Sequence, residues 1–131
     1  MLKKLIKSSN GQSLVEFALV LPIFLLLVFG VVEFGRLGYS YVTLNNAVRS
    51  GARTASLSGL DGTIKTSVAD SAPLLDRNLL TIQITPEESS RHSGSNVTVS
   101  ASYPVSLTTP VLNNILPNPV VIHASLSMRI E

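Results

Sequence analysis

Residues 17–32 read FALVLPIFLLLVFGVV, and the nature of this stretch decides the fold. It holds no charge and no strongly polar side chain. Counted from 14 to 34 the run has 21 residues, interrupted only near its ends by Glu16 and Glu33. A helix crossing the hydrocarbon core of a bilayer needs about 20 apolar residues at a rise of about 1.5 Å each. The length fits. A helix in a soluble core keeps one polar face, whereas this run is apolar all round. Pro22 lies inside it, which membrane helices tolerate. A secretory signal peptide also begins with basic residues and an apolar region. Its apolar region spans only about 7–15 residues and ends at a small-residue cleavage site. Here the run is longer and continues as VVEFGRLGYSY, without such a site.

The charges flank this run unevenly. Lys3, Lys4 and Lys7 precede it with no acid among them. From 37 to 131 there are six basic residues (Arg49, Arg53, Lys65, Arg77, Arg91, Arg129) and six acids (Asp61, Asp70, Asp76, Glu87, Glu88, Glu131), so that part is formally neutral. The basic start predicts a single-pass protein with a cytoplasmic N-terminus and residues from about 37 onward across the membrane. The sequence pI of 9.2 is then a property of the first residues. A nucleic-acid partner is not expected, because no Lys/Arg cluster is present to replace counterions on phosphates. The chain is 45% hydrophobic but only 14% charged, and its mean hydropathy is +0.38. Disordered chains look different, and 131 residues leave no room for a large multidomain enzyme.

Glu16 stands out. An acidic side chain at the centre of a membrane helix costs about 2.5–3.5 kcal/mol on insertion scales, and less near the interface. Either it sits at headgroup level and stays solvated, or a cation meets it when subunits assemble. At the other end, Glu33 and Arg36 are three apart and can pair on one helix face. They either mark the end of the apolar span or touch another subunit. Gly30, Gly35 and Gly38 would permit close helix approach or bending.

Beyond the span the helix becomes amphipathic. Tyr41, Leu44, Val48, Ala52 and Ala55 recur every three or four residues, with Asn46, Arg49 and Arg53 on a different, solvated face. A helix from 13 to 58 would be about 69 Å long, with Gly59 as its stop. Asp61 is expected to cap a short helix bearing Ile64, Val68 and Ala72 and ended by Pro73. Strands follow. Leu80, Ile82 and Ile84 alternate with polar residues; so do Val97, Val99, Ala101, Tyr103, Val105 and Leu107, and then Val120, Ile122, Ala124, Leu126, Met128 and Ile130. Period two marks a sheet with one buried face. Thr109-Pro110 is placed to start one helical turn between the last two strands. The fold class is α+β: a long N-terminal helix, membrane-spanning in its first half and amphipathic in its second, packed on a small antiparallel sheet of about three strands. The segments are 1–11, 12–36 (transmembrane), 37–58 (amphipathic continuation) and 59–131 (small α+β domain). About 70 residues bury a marginal core by themselves, so the helix must supply much of the packing.

Catalytic chemistry has little to stand on. The chain has no Cys, which removes disulfides, thiolate metal sites and a cysteine nucleophile. His92 falls in a polar loop and His123 on the polar side of the last strand, without carboxylates in metal-ligand spacing. Glu87-Glu88 reads as a solvated pair. Nucleophile-elbow and phosphate-loop motifs are missing. No cofactor or metal is expected, and the chain does not read as an enzyme.

Residues 11–17 are Gly11-Gln12-Ser13-Leu14-Val15-Glu16-Phe17. A glycine, four residues, then Glu-Phe at the head of an apolar helix resembles the processing site of type IV prepilin-like proteins. The continuation EFALVLPIFLLLVFGVVEFGRLGYSYVTLNNAVRSGARTAS resembles the TadE-like family of pseudopilins from tight-adherence (Tad/Flp) pilus systems. The Ser102-Tyr103-Pro104 segment, the Pro-rich link after it and the closing ASLSMRIE also fit. The resemblance implies that 1–11 is a leader and that a prepilin peptidase cuts on the cytoplasmic side between Gly11 and Gln12. It further implies a structural role, as a minor pilin or pseudopilin working with other pilins and an inner-membrane assembly platform. ATP would then be supplied by a partner. Cutting would make a new α-amino group, a cation below its reference pKa of about 8. Glu16 would become the fifth residue of the product, beside Phe17, where a neighbouring subunit's N-terminus could neutralise it in lipid. The alternative reading is an uncleaved single-pass protein that tethers a small binding module to the lipid bilayer.

Overall fold

The computed structural model describes residues 9–131, except for the side chain of Ser58. The first helix, α1, runs unbroken over Ser9–Ser58, 50 residues or about 75 Å. It passes straight through Pro22. Proline lacks an N–H, so the carbonyl one turn back at Ala18 loses its helical donor. The helix ends at Gly59, which takes the left-handed φ of +68°. That conformation, cheap only without a Cβ, is what stops a helix at this position.

The second helix, α2, spans Asp61–Asp70 and buries Ile64, Val68 and Ala69. Its N-cap is Leu60, with no side-chain cap bond, so the expected capping by Asp61 is not observed. Asp61 is the first helical residue instead. There its carboxylate suits the positive helix end and pairs with Arg91. The Arg91 side chain is only 3% exposed. It also donates from Nε to the Pro86 carbonyl at 2.9 Å and from Nη1 to the Gly59 carbonyl at 2.5 Å. One guanidinium thus ties the α1–α2 corner to the β1–β2 connection.

Three strands follow: β1 (Thr81–Thr85), β2 (Asn96–Val105) and β3 (Val120–Arg129). They form an antiparallel sheet in the order β1-β2-β3. Thr81 pairs with Ser102 and Thr85 with Thr98; Asn96 pairs with Arg129 and Val105 with Val120. Val97, Val99, Ala101, Val105, Ile122 and Ala124 point inward. A third helix, α3 (Pro110–Ile115), lies between β2 and β3, with Pro110 in its first turn. The α+β fold expected from the sequence is the fold observed.

The core forms where this sheet meets the second half of α1. Leu44, Ala47, Val48, Ala52 and Ala55 interlock with Ile64, Val68, Ala72 and Leu75 and with the inward strand residues. Arg49 and Arg53 stay exposed. Tyr41 does not join the stripe as expected; it is 51% exposed. At that level Leu37 and Leu44 face the core, and Tyr41 falls to the side of the contact. The sheet lies along α1. At one end the Glu131 N–H donates to the Ser56 carbonyl at 3.1 Å. At the other, Arg36 Nη2 donates to the Ser106 carbonyl at 2.9 Å. The large apolar residues from Leu14 to Val32 are all exposed, and Phe34, which borders Leu112 and Leu116, is exposed over most of its surface. The chain exposes 9022 Å², whereas a compact monomer of this mass exposes about 6,700 Å². The bare half-helix is part of that excess.

Candidate processing and assembly site

Gly11 and Gln12 lie in the first turns of α1, and Gln12 Nε2 donates to Glu16 Oε1 at 3.2 Å. The pair is four residues apart, so helical geometry alone brings the two side chains together. Glu16 and Phe17 are both exposed. Lys3, Lys4 and Lys7 of the expected leader lie outside the described residues. Among the described residues the ion pairs are Arg36–Glu33, Arg77–Asp70 and Arg91–Asp61, and none includes Glu16. Glu16 therefore has an amide partner but no described cation.

Glu33 is in a different situation. It is 4% exposed. Its Oε2 accepts from Arg36 Nη1 at 3.0 Å. Its Oε1 accepts the Thr108 N–H at 2.8 Å, the Thr108 hydroxyl at 2.5 Å, the Thr109 N–H at 3.1 Å and the Thr109 hydroxyl at 3.3 Å. Arg36 Nη1 also reaches the Thr108 hydroxyl at 3.3 Å. A carboxylate taken from water needs this many donors to offset its lost hydration. The bonds hold the start of α3 against α1 where the apolar run ends. The spacing of Glu33 and Arg36 indicates their pairing, but nothing in it points to Thr108 and Thr109. The signal was Thr-Thr-Pro opening a helix, where backbone N–H groups and hydroxyls are left without an intrahelical acceptor. Nothing local says that the acceptor lies 75 residues upstream.

His92 and His123 are both exposed. Among the described residues no group of three or more His, Asp or Glu is arranged to hold a metal. The solvent side of the sheet is a shallow surface of Thr81, Gln83, Ser100, Ser102, His123 and Ser125.

A bare apolar helix of membrane-spanning length, carrying a small sheet clamped to its second half, defines a single-span anchored α+β protein. Within that class, the family model described as TadE-like protein matches residues 11–53, the stretch in which the sequence resembles that family. The match begins at Gly11 and ends inside the core-forming half of α1, so α2 and the sheet lie beyond it. No curated protein and no solved structure matches the chain.

Proposed function

We propose that the chain is a minor pilin or pseudopilin of a Tad pilus system, acting as a structural or assembly-priming subunit for adhesion. It is cut by a prepilin peptidase between Gly11 and Gln12 and held in the cytoplasmic membrane with its sheet domain on the extracytoplasmic side. Its partners are other pilins or pseudopilins and the membrane assembly platform. The observation that carries this reading is the exposed Glu16 at the head of an uncovered apolar helix, five residues past Gly11. A carboxylate in that place, without a described cation, is costly in lipid. Removal of the leader places an α-amino cation at Gln12, and a neighbouring subunit's amine then neutralises Glu16 as helices pack side by side. The apolar surface that lipid covers in the stored subunit becomes the helix-packing surface of the assembly.

Mass spectrometry of the protein from cells that contain the peptidase tests the first step. The expected product begins at Gln12; an intact leader overturns the reading and leaves a tethered binding module. The second step is tested separately. Glu16→Ala is expected to be cut normally yet to fail in assembly, measured by crosslinking to partner subunits in membranes. Normal assembly of the cut variant removes the pairing role.

A further inference from the structure

The segment between β2 and β3 is built, and it sits at a particular height. The sheet runs along α1 with Glu131 beside Ser56 at one end and Ser106 beside Arg36 at the other. The β2–β3 connection is therefore the lip of the domain nearest the apolar span. Glu33 and Arg36 hold it there through Ser106, Thr108 and Thr109. Asn118 closes it internally: its Oδ1 accepts the Leu107 N–H at 3.0 Å and its Nδ2 donates to Asn113 Oδ1 at 3.2 Å. Leu112 and Leu116 line a small apolar cavity with Phe34, Leu37, Leu107 and Val120, which seats α3 on the end of the span.

The other side of α3 has no cover. Val111 and Ile115, one turn apart, are exposed, Ile115 at 71%. Val31 and Phe34, at the end of the span, are exposed as well, and Phe34 borders the same cavity as Leu112 and Leu116. The charge pattern agrees. From Arg91 to Arg129 the chain contains no intervening Asp, Glu, Lys or Arg. The lip thus carries no charge of its own toward hydrocarbon; the ions beside it, Glu33 and Arg36, are paired with each other. From 14 to 32 the span measures about 28 Å, so Glu33 and Phe34 fall at the edge of a core about 30 Å thick.

We infer that α3 is an interfacial membrane anchor: Val111 and Ile115 insert into the lipid surface beside the point where α1 leaves it. The Glu33–Arg36 clasp is the device that holds α3 at that depth. The domain is then fixed to the bilayer at two points, the span and the lip, which sets its tilt relative to the membrane plane. This rests on the reading that α1 spans lipid, and the test separates the two.

The chain has no tryptophan, so single tryptophans report cleanly. Ile115→Trp, Leu25→Trp and Ser125→Trp full chains are reconstituted in phosphatidylcholine vesicles, with and without acyl-chain bromination. Leu25 marks the span and Ser125 the solvent side of the sheet. The expected result is blue-shifted emission and loss of most of the fluorescence to bromolipid at positions 25 and 115, with position 125 quenched only by aqueous acrylamide. Position 115 behaving like position 125, while position 25 is quenched by bromolipid, overturns the anchor and leaves the span intact. Blue-shifted emission at 115 without bromolipid quenching also overturns it, because the cover is then protein. Failure of bromolipid to quench position 25 overturns both readings.

Discussion

Gly51 is the glycine of α1 that lies against the rest of the domain. A Cβ built there would stand 2.2 Å from Val68 Cγ2 and 3.4 Å from Val99 Cγ1. Both valines are fully buried and β-branched, so neither can swing aside. Replacing a helical glycine by alanine ordinarily stabilises by about 1 kcal/mol. Here the overpacking term, about 1–3 kcal/mol, opposes it and is the larger. Gly51→Ala is expected to lower stability by up to about 2 kcal/mol in denaturant titration. Combining it with Val68→Ala should cost less than the sum of the two single changes, because the new methyl fills the space that Val68 vacates. Full additivity would show that α2 simply shifts. The sequence carried a hint of this contact. Gly51 lies on the apolar stripe among Ala47, Ala52 and Ala55, a run of small residues where backbones approach. By contrast a Cβ at Gly30, Gly35 or Gly38 meets nothing within 4 Å, so any close approach at those positions involves another molecule.

At the scale of elements, what could be read in advance was what is periodic. The alternation in 81–85, 96–105 and 120–129 yielded all three strands because each has one dry face. The end of α1 was legible because Gly59 has a conformational job to do. Capping was less so. Asp61 has the right chemistry for an N-cap, but the tie to Arg91 holds it one position further in, and that tie spans 30 residues. Tyr41 fitted the 3.6-residue period and still lies outside, because periodicity says which face is apolar and not how far along the helix the partner extends. The docking of α3 on α1 was invisible for the same reason as the Glu33 bonds: its registry is set by tertiary contact. It makes a testable point about one element holding another. Glu33→Ala leaves the Thr108 and Thr109 donors without their acceptor and Arg36 without its partner. A loss of about 2–4 kcal/mol is expected, with amide exchange rising first in 106–119. Exchange that rises instead uniformly through the sheet would show that the clasp is part of the global folding unit.

For the whole molecule, the division of labour within α1 determines what can fold alone. Residues from 33 onward contain every residue of the core and the complete clasp. Residues before 33 contribute apolar surface and no core contact. Five core residues, Leu44, Ala47, Val48, Ala52 and Ala55, come from the helix. A sheet of three strands with two short helices exposes its inward valines once those five are gone, and so small a domain has little margin to lose. A fragment covering 33–131 is therefore expected to stay in aqueous solution and to melt in one cooperative transition followed by circular dichroism. One covering 38–131 keeps the core but loses the clasp, and should be less stable by about 1–3 kcal/mol. One covering 60–131 should show no cooperative melting. Cooperative melting of 60–131 would mean that the sheet closes its own core and α1 is only a stalk. The expected order instead makes α1 a shared element, with one half held by lipid or neighbouring helices and the other half built into the domain. Any force or tilt applied to the span then reaches the sheet through a continuous rod and not through a linker.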